Sequence, residues 1–194
     1  MSAVDNEVDQ LLYEIAENLT DKKRVLKAGI MGADYIRKHI QDADFEPLSS
    51  VTVEYRGKGE PLKDTGSFRD SITFELVNST TVSVGTNKLY APIQNNGGVI
   101  TARKQWLFIP AGGTRQLERR YGRKPGDVLS GLRNEDYWVY RVGRTVCYRK
   151  KSKRAKPHVA YYLKKSVEIP KREFFYLTDK ELETILSEVT GDIL

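Results

Sequence analysis

The 194-residue chain predicts an α+β fold in which a small antiparallel sheet packs against N-terminal helices and a C-terminal helix, with a β-rich insertion protruding from it. Three observations carry that expectation. Apolar residues recur at steps of three and four near both ends, short stretches between residues 51 and 85 alternate apolar with polar residues, and a glycine-punctuated basic segment interrupts the second half. Residues 1–110 and 158–194 are therefore expected to form the compact core, and residues 111–157 a basic β-hairpin arm or small subdomain.

In chain order, Val4, Val8, Leu11, Leu12, Ile15 and Leu19 mark an amphipathic helix, and Asn18 to Asp21 reads as its end. Val25, Leu26, Ile30, Ala33, Ile36 and Ile40 mark a second helix. Its glycines, Gly29 and Gly32, cost about 1 kcal/mol each against alanine, which is reasonable only where something packs closely. Val51, Val53 and Tyr55 alternate with polar residues and predict an edge strand, ended by Gly57 to Pro61. Asp64 to Ser67 predicts a turn. Ile72, Phe74 and Leu76, then Val82 and Val84, put apolar side chains at every second position and predict an antiparallel hairpin.

Leu89 to Ile93 reads as a short helical turn closed by Asn95 to Gly98, and Val99 to Thr101 and Trp106 to Ile109 as strands. Tyr137 to Tyr140 and Arg144 to Tyr148 predict the hairpin of the insertion, and Tyr161 to Ile169 a returning strand. Thr178 followed by Glu181 is a capping box, with Leu177 and Leu182 as a hydrophobic staple. Leu182, Ile185, Leu186 and Val189 give the last helix its expected buried face, Gly191 its stop, and Asp192 to Leu194 a tail.

Charge is unevenly spread. Residues 103–165 carry 18 basic and four acidic side chains, against 11 and 15 before them and three and seven after them. Such a field attracts nucleic acid, an acidic neighbour or the acidic flank of another copy. The basic residues fall in two clusters, Arg115, Arg119, Arg120, Arg123 and Lys124, then Arg149, Lys150, Lys151, Lys153, Arg154 and Lys156. Tyr121, Tyr137, Trp138, Tyr140 and Tyr148 lie among them, placed either to stack on bases or to build the hairpin's own core.

Signals for chemistry are sparse. The single cysteine, Cys147, excludes an intrachain disulfide and reads as a buried thiol, while His39 and His158 have no metal-site spacing around them. Gly97-Gly98 and Gly112-Gly113-Thr114 lack the residues of a phosphate loop. No apolar run approaches the roughly 20 residues that span a bilayer. The expectation is a soluble, cytoplasmically made, non-catalytic chain without cofactor, metal or membrane contact.

Three segments resemble a known family. Leu62-Lys63-Asp64-Thr65-Gly66-Ser67-Phe68-Arg69-Asp70-Ser71-Ile72, then Val84-Gly85-Thr86-Asn87 with Tyr90-Ala91 and Gly97-Gly98, then Ile169-Pro170-Lys171-Arg172-Glu173-Phe174-Phe175 with Leu177-Thr178-Asp179, look in order and spacing like the tailed-phage virion morphogenesis family of Mu-like tail completion proteins. Phe68, Glu173, Tyr176 and the basic insertion depart from its pattern.

The resemblance implies a structural protein of the virion neck, assembled in the host cytoplasm as a homo-oligomeric ring, a hexamer, that ends the tail and helps join it to the head. It also implies the tail tube protein and head-side connector proteins as partners, with nonspecific contact to genomic DNA. Asp64, Thr65, Gly66, Arg69, Tyr90, Gly97, Gly98, Arg172 and Phe174 become turn and interface candidates, Arg69 with Asp64 or Asp70 as its nearest ion-pair partners. The competing expectations are a nucleic-acid-binding module using the basic insertion, and a stopper or adaptor-side connector.

Overall fold

The computed structural model describes the backbone of residues 3–57, 59–152 and 154–190, and side chains from Lys22 onward. The expected apolar face from Val4 to Leu19, the stop at Gly191, the tail Asp192 to Leu194 and the basic residue Lys153 lie outside that description. The chain runs α1 (Ala3–Asp42), α2 (Ser50–Arg56), a 3-10 turn (Arg69–Ser71), β1 (Ile72–Asn78), β2 (Thr81–Thr86), α3 (Ala91–Asn96), β3 (Gly98–Thr101) and β4 (Leu107–Pro110). It continues through α4 (Thr114–Tyr121), α5 (Pro125–Asn134), β5 (Tyr137–Val142), β6 (Thr145–Lys150), β7 (His158–Lys164), β8 (Ser166–Ile169) and α6 (Asp179–Thr190). The architecture is α+β, with terminal helices and small antiparallel sheets, one of four strands.

These elements form two compact units, one of residues 1–44, 65–95 and 173–194, the other of residues 45–64 and 96–172. In the first unit, α1 is one helix of 40 residues, so the expected break at Asn18 to Asp21 does not occur. No proline or glycine stands between Ala3 and Ala28, and polar residues alone cost a helix only tenths of a kcal/mol each. The β1–β2 hairpin forms in the expected register, with Phe74 opposite Val84 and Leu76 opposite Val82. It lies so close to α1 that a Cβ on Gly29 would sit 2.5 Å from Val82 Cγ2 and 2.9 Å from Phe74 Cδ2.

Helix α6 starts at the expected capping box. Thr178 N–H donates to Glu181 Oε2 at 2.8 Å, and Glu181 N–H donates back to Thr178 Oγ1 at 3.3 Å. Of its expected apolar face only Ile185 is buried, while Leu182 and Leu186 are 43% and 62% exposed. Its main packing partner is α1, and a helix covers a narrower stripe than a sheet would.

The second unit is built on the sheet β4-β7-β6-β5, whose core joins Val128 and Leu132 of α5 to Val146, Ala160, Tyr161 and Leu163 of β6 and β7. Leu117, Tyr121, Tyr137, Val139 and Tyr148 pack around it. The expected β5–β6 hairpin is present, yet residues 111–157 are not a protruding arm: β6 is an inner strand beside β7, and much of residues 114–134 is helical. Leu117 with Tyr121, and Val128 with Leu132, stand four residues apart and supply one apolar face per helix, and Pro125 starts α5 at a position where it loses no hydrogen bond. The unit boundaries consequently fall elsewhere than at residues 110 and 157.

Two further expectations are corrected in this unit. The segment Val51 to Tyr55 is not a strand but part of α2. Ser49 Oγ accepts from Thr52 N–H at 3.4 Å, and Gly57, at φ +83°, donates its N–H to Val53 O at 2.7 Å, so both ends are capped. The stretch Tyr161 to Ile169 is two strands in different sheets: β7 pairs with β4 and β6, and β8 pairs with β3 from Gly98↔Ile169 to Thr101↔Ser166.

Candidate functional site

In the first unit, parts of the three family-like segments gather on one buried ring. Phe68 meets Tyr90 at 5.4 Å between centroids and Phe174 edge-on at 5.1 Å. Asn95 Oδ1 fixes the third segment by accepting from the N–H groups of Phe174 and Phe175 at 3.1 and 2.9 Å. Thr65 Oγ1 donates to Ser67 Oγ, Gly66 turns the chain at φ +74°, and Arg69 donates to Asp70 Oδ1 at 2.8 Å and Gln41 Oε1 at 2.7 Å. Asp70, rather than Asp64, is therefore the ion-pair partner of Arg69. Nearby, His39 stacks on Tyr176 at 4.2 Å and its Nε2 lies 2.9 Å from Glu181 Oε1.

The remaining turn and interface candidates, Asp64, Gly97, Gly98 and Arg172, belong to the second unit. Gly97, at φ +70°, brings the chain so near the β8 exit that an added Cβ would lie 2.8 Å from Lys171 N. Gly98 begins β3 opposite Ile169. Arg172 is buried and donates to Glu46 O at 3.3 Å. Arg172 and Phe174, both expected as interface candidates, are thus interior residues of this chain. Tyr90 stays partly open.

The first basic cluster divides. Arg115, Arg119 and Arg123 line a cleft of about 420 Å³ together with Tyr55, Arg56, Asp64 and Glu118. Arg120 turns away, pairing with Glu135 at 2.8 Å and lying 5.3 Å from the Tyr121 ring centroid. Lys124 is an exposed residue at the entry to α5. Helix α4 is anchored beneath the cleft by its buried first residue, Thr114, whose Oγ1 donates to Ala160 O and accepts from Ala111 N–H. Arg115 Nη1 donates to Arg56 O at 2.6 Å, and Tyr55 Oη donates to Glu118 Oε2 at 2.5 Å. Burial and the bond to Glu118 push the Tyr55 phenol above its usual pKa, so it stays a donor through the neutral range.

The second basic cluster is a rim. Arg149 and Lys150 end β6, Lys151 lies 5.6 Å from the Trp138 ring centroid, and Arg154 and Lys156 are exposed on the way to β7. The interspersed aromatics are mostly structural: Tyr121, Tyr137 and Tyr148 pack on the core, and Trp138, at 56% exposure, is the open one of the set. Cys147 is buried on β6, and among the described residues no three His, Cys, Asp or Glu side chains come together as a metal site requires. No helix among them is long and apolar enough to cross a membrane.

Comparison with family models, with curated proteins and with solved structures finds no match.

Sequence reasoning missed Tyr55, Arg56 and Glu118 as cleft residues. Reading residues 51–55 as a strand hid the fact that a helix carries Tyr55 and Arg56 to the same place as α4. The signal available was the serine pair at residues 49 and 50 with Gly57 seven residues on, a helix start and stop.

Proposed function

We propose that this chain is a non-catalytic structural subunit of a tailed-phage neck, of the tail-completion kind, which assembles as a homo-oligomeric ring and helps join the tail to the head. The observation that carries this reading is the convergence on Phe68 of residues from the three segments in which the resemblance lies. Signature residues that hold a family's fold are expected to meet in its core, and here one aromatic side chain from each segment does so.

The charge distribution adds a reason for self-assembly. The unit of residues 45–64 and 96–172 carries 23 basic and nine acidic side chains, a net of +14, and the other carries nine and 17, a net of −8. Opposite fields on one chain favour head-to-tail contact between copies, the heterologous arrangement from which closed rings are made. In this reading the tail tube protein and the head-side connector are the neighbouring layers. Sedimentation and imaging of the purified chain and of intact necks test it: the expected result is a ring in solution and density for the chain between tail and head. A chain that stays monomeric at all salt concentrations and is missing from purified tails overturns it.

The second reading, a nucleic-acid-binding module, draws on the basic rim from Arg149 to Lys156 and the exposed Trp138 beside Lys151. It predicts DNA affinity that falls steeply with salt and drops on neutralising Lys150, Lys151 and Arg154.

A further inference from the structure

We infer that the cleft between α2 and α4 is a binding site for a terminal phosphate group, one carried by a nucleotide, by a phosphorylated nucleic-acid end or by free phosphate. Its lining residues are four arginines, Arg56, Arg115, Arg119 and Arg123, and two acids, Asp64 and Glu118, with Tyr55; Arg56 presents its carbonyl to Arg115. The residues around the cleft therefore carry a formal surplus of two positive charges. A terminal phosphate near pH 7 carries about −1.5 to −2 and offers three acceptor oxygens, which matches that surplus and suits more than one arginine fork. A single carboxylate offers two oxygens and one charge, which one arginine satisfies.

The arginines are held apart from the local acids. Among the described residues no carboxylate lies within ion-pairing distance of Arg56, Arg115, Arg119 or Arg123, although Asp64 and Glu118 line the same cleft. Glu118 is occupied by the Tyr55 hydroxyl, and Arg115 is steadied by the Arg56 carbonyl, leaving its other N–H groups for a ligand. Next to this arrangement Tyr161, 1% exposed, has a hydroxyl with no hydrogen-bond partner among the described residues, and its titration responds to both Glu118 and Tyr55. Guanidinium groups left unpaired in a concavity of about 420 Å³ form a space of the size that small ligands occupy. The inference does not rest on the ring reading, since a monomer carries the same cleft.

The test uses the full chain and two oligonucleotides of one sequence, one with a 5′-phosphate and one with a 5′-hydroxyl, at about 0.1 M salt. The 5′-phosphate form should bind about tenfold more tightly, the worth of one charge-assisted contact set. That preference should vanish in Arg119→Gln/Arg123→Gln, whose side chains are exposed and unpaired, so that the variant is expected to fold. Neutralising the rim by Lys150→Gln/Lys151→Gln/Arg154→Gln should weaken both oligonucleotides alike and leave their ratio unchanged. In a second arm, about 10 mM inorganic phosphate or a nucleoside monophosphate should raise the melting temperature of the native chain and not of the double variant. A response to these small anions without any 5′-phosphate preference assigns the cleft to a free small ligand, and the reverse assigns it to a nucleic-acid end. If the two oligonucleotides bind equally and neither small anion shifts the melting temperature, the inference is wrong, whether or not the chain forms rings. Binding of a glutamate-rich peptide in place of every phosphate probe would overturn it in favour of an acidic protein partner.

Discussion

Tyr161 shows how a single atom is set by its surroundings. Its ring fills the second unit's core and meets Phe108 edge-on at 5.7 Å, while its hydroxyl is buried without a partner. Burial, then the nearby Glu118 charge, raises its pKa, so the group remains a neutral phenol. Removing an unsatisfied buried hydroxyl while keeping the ring should stabilise the fold, by about 1 kcal/mol for Tyr161→Phe, measured as a higher urea midpoint at unchanged slope. Glu181 is the opposite case. Burial alone would raise its pKa, but the Thr178 N–H and hydroxyl and then His39 outweigh it and hold the carboxyl below its usual range. Its contribution is accordingly complete above the unfolded value near 4.5 and is lost as pH falls through the lower folded value. Acid titration of stability should therefore steepen below about pH 4.5, and Glu181→Gln should flatten that slope. The capping pair was legible in the sequence because its partners stand three residues apart. The burial of Arg172 was not, because it depends on Glu46, 126 residues away.

At the scale of elements, local rules predicted correctly where a segment's pattern admitted one structure. The β1–β2 hairpin kept its register because a shift by one residue would turn Phe74 and Leu76 away from Val84 and Val82. Where the pattern admitted two, capping decided: Val51, Val53 and Tyr55 suit a strand, but Ser49 and Gly57 close a helix around them. Replacing Gly57 by alanine, at φ +83°, should cost about 1 kcal/mol and disturb the Tyr55–Glu118 bond, visible as a loss of stability without loss of the four-stranded sheet. The close approach of α1 to the hairpin is a second element-scale test. Gly29→Ala should destabilise by about 1–3 kcal/mol, and a double-mutant cycle with Val82→Ala should show favourable coupling, because the smaller side chain makes room for the new methyl group.

For the molecule as a whole, the charge division between the two units makes ionic strength the natural variable. Raising salt from about 0.05 M to 0.5 M shortens the screening length severalfold, so association of copies should weaken over that range by sedimentation. Association that is indifferent to salt would point instead to apolar contacts, for which the exposed Val99 and Ile100 of β3 and Leu182 and Leu186 of α6 are available. The α+β class, the central hairpin, the capping box and the concentration of basic residues were legible in the amino-acid order alone, since each rests on neighbours a few positions apart or on simple counting. Long-range packing settled that β5 and β6 of the basic segment join a four-stranded sheet, that Arg115, Arg119 and Arg123 share a cleft with Tyr55 while Arg120 does not, and that Phe68 joins distant segments. Those outcomes depend on which strand pairs with which and on which face of a helix is covered, and both follow from contacts between residues far apart in the chain, where periodicity carries no information.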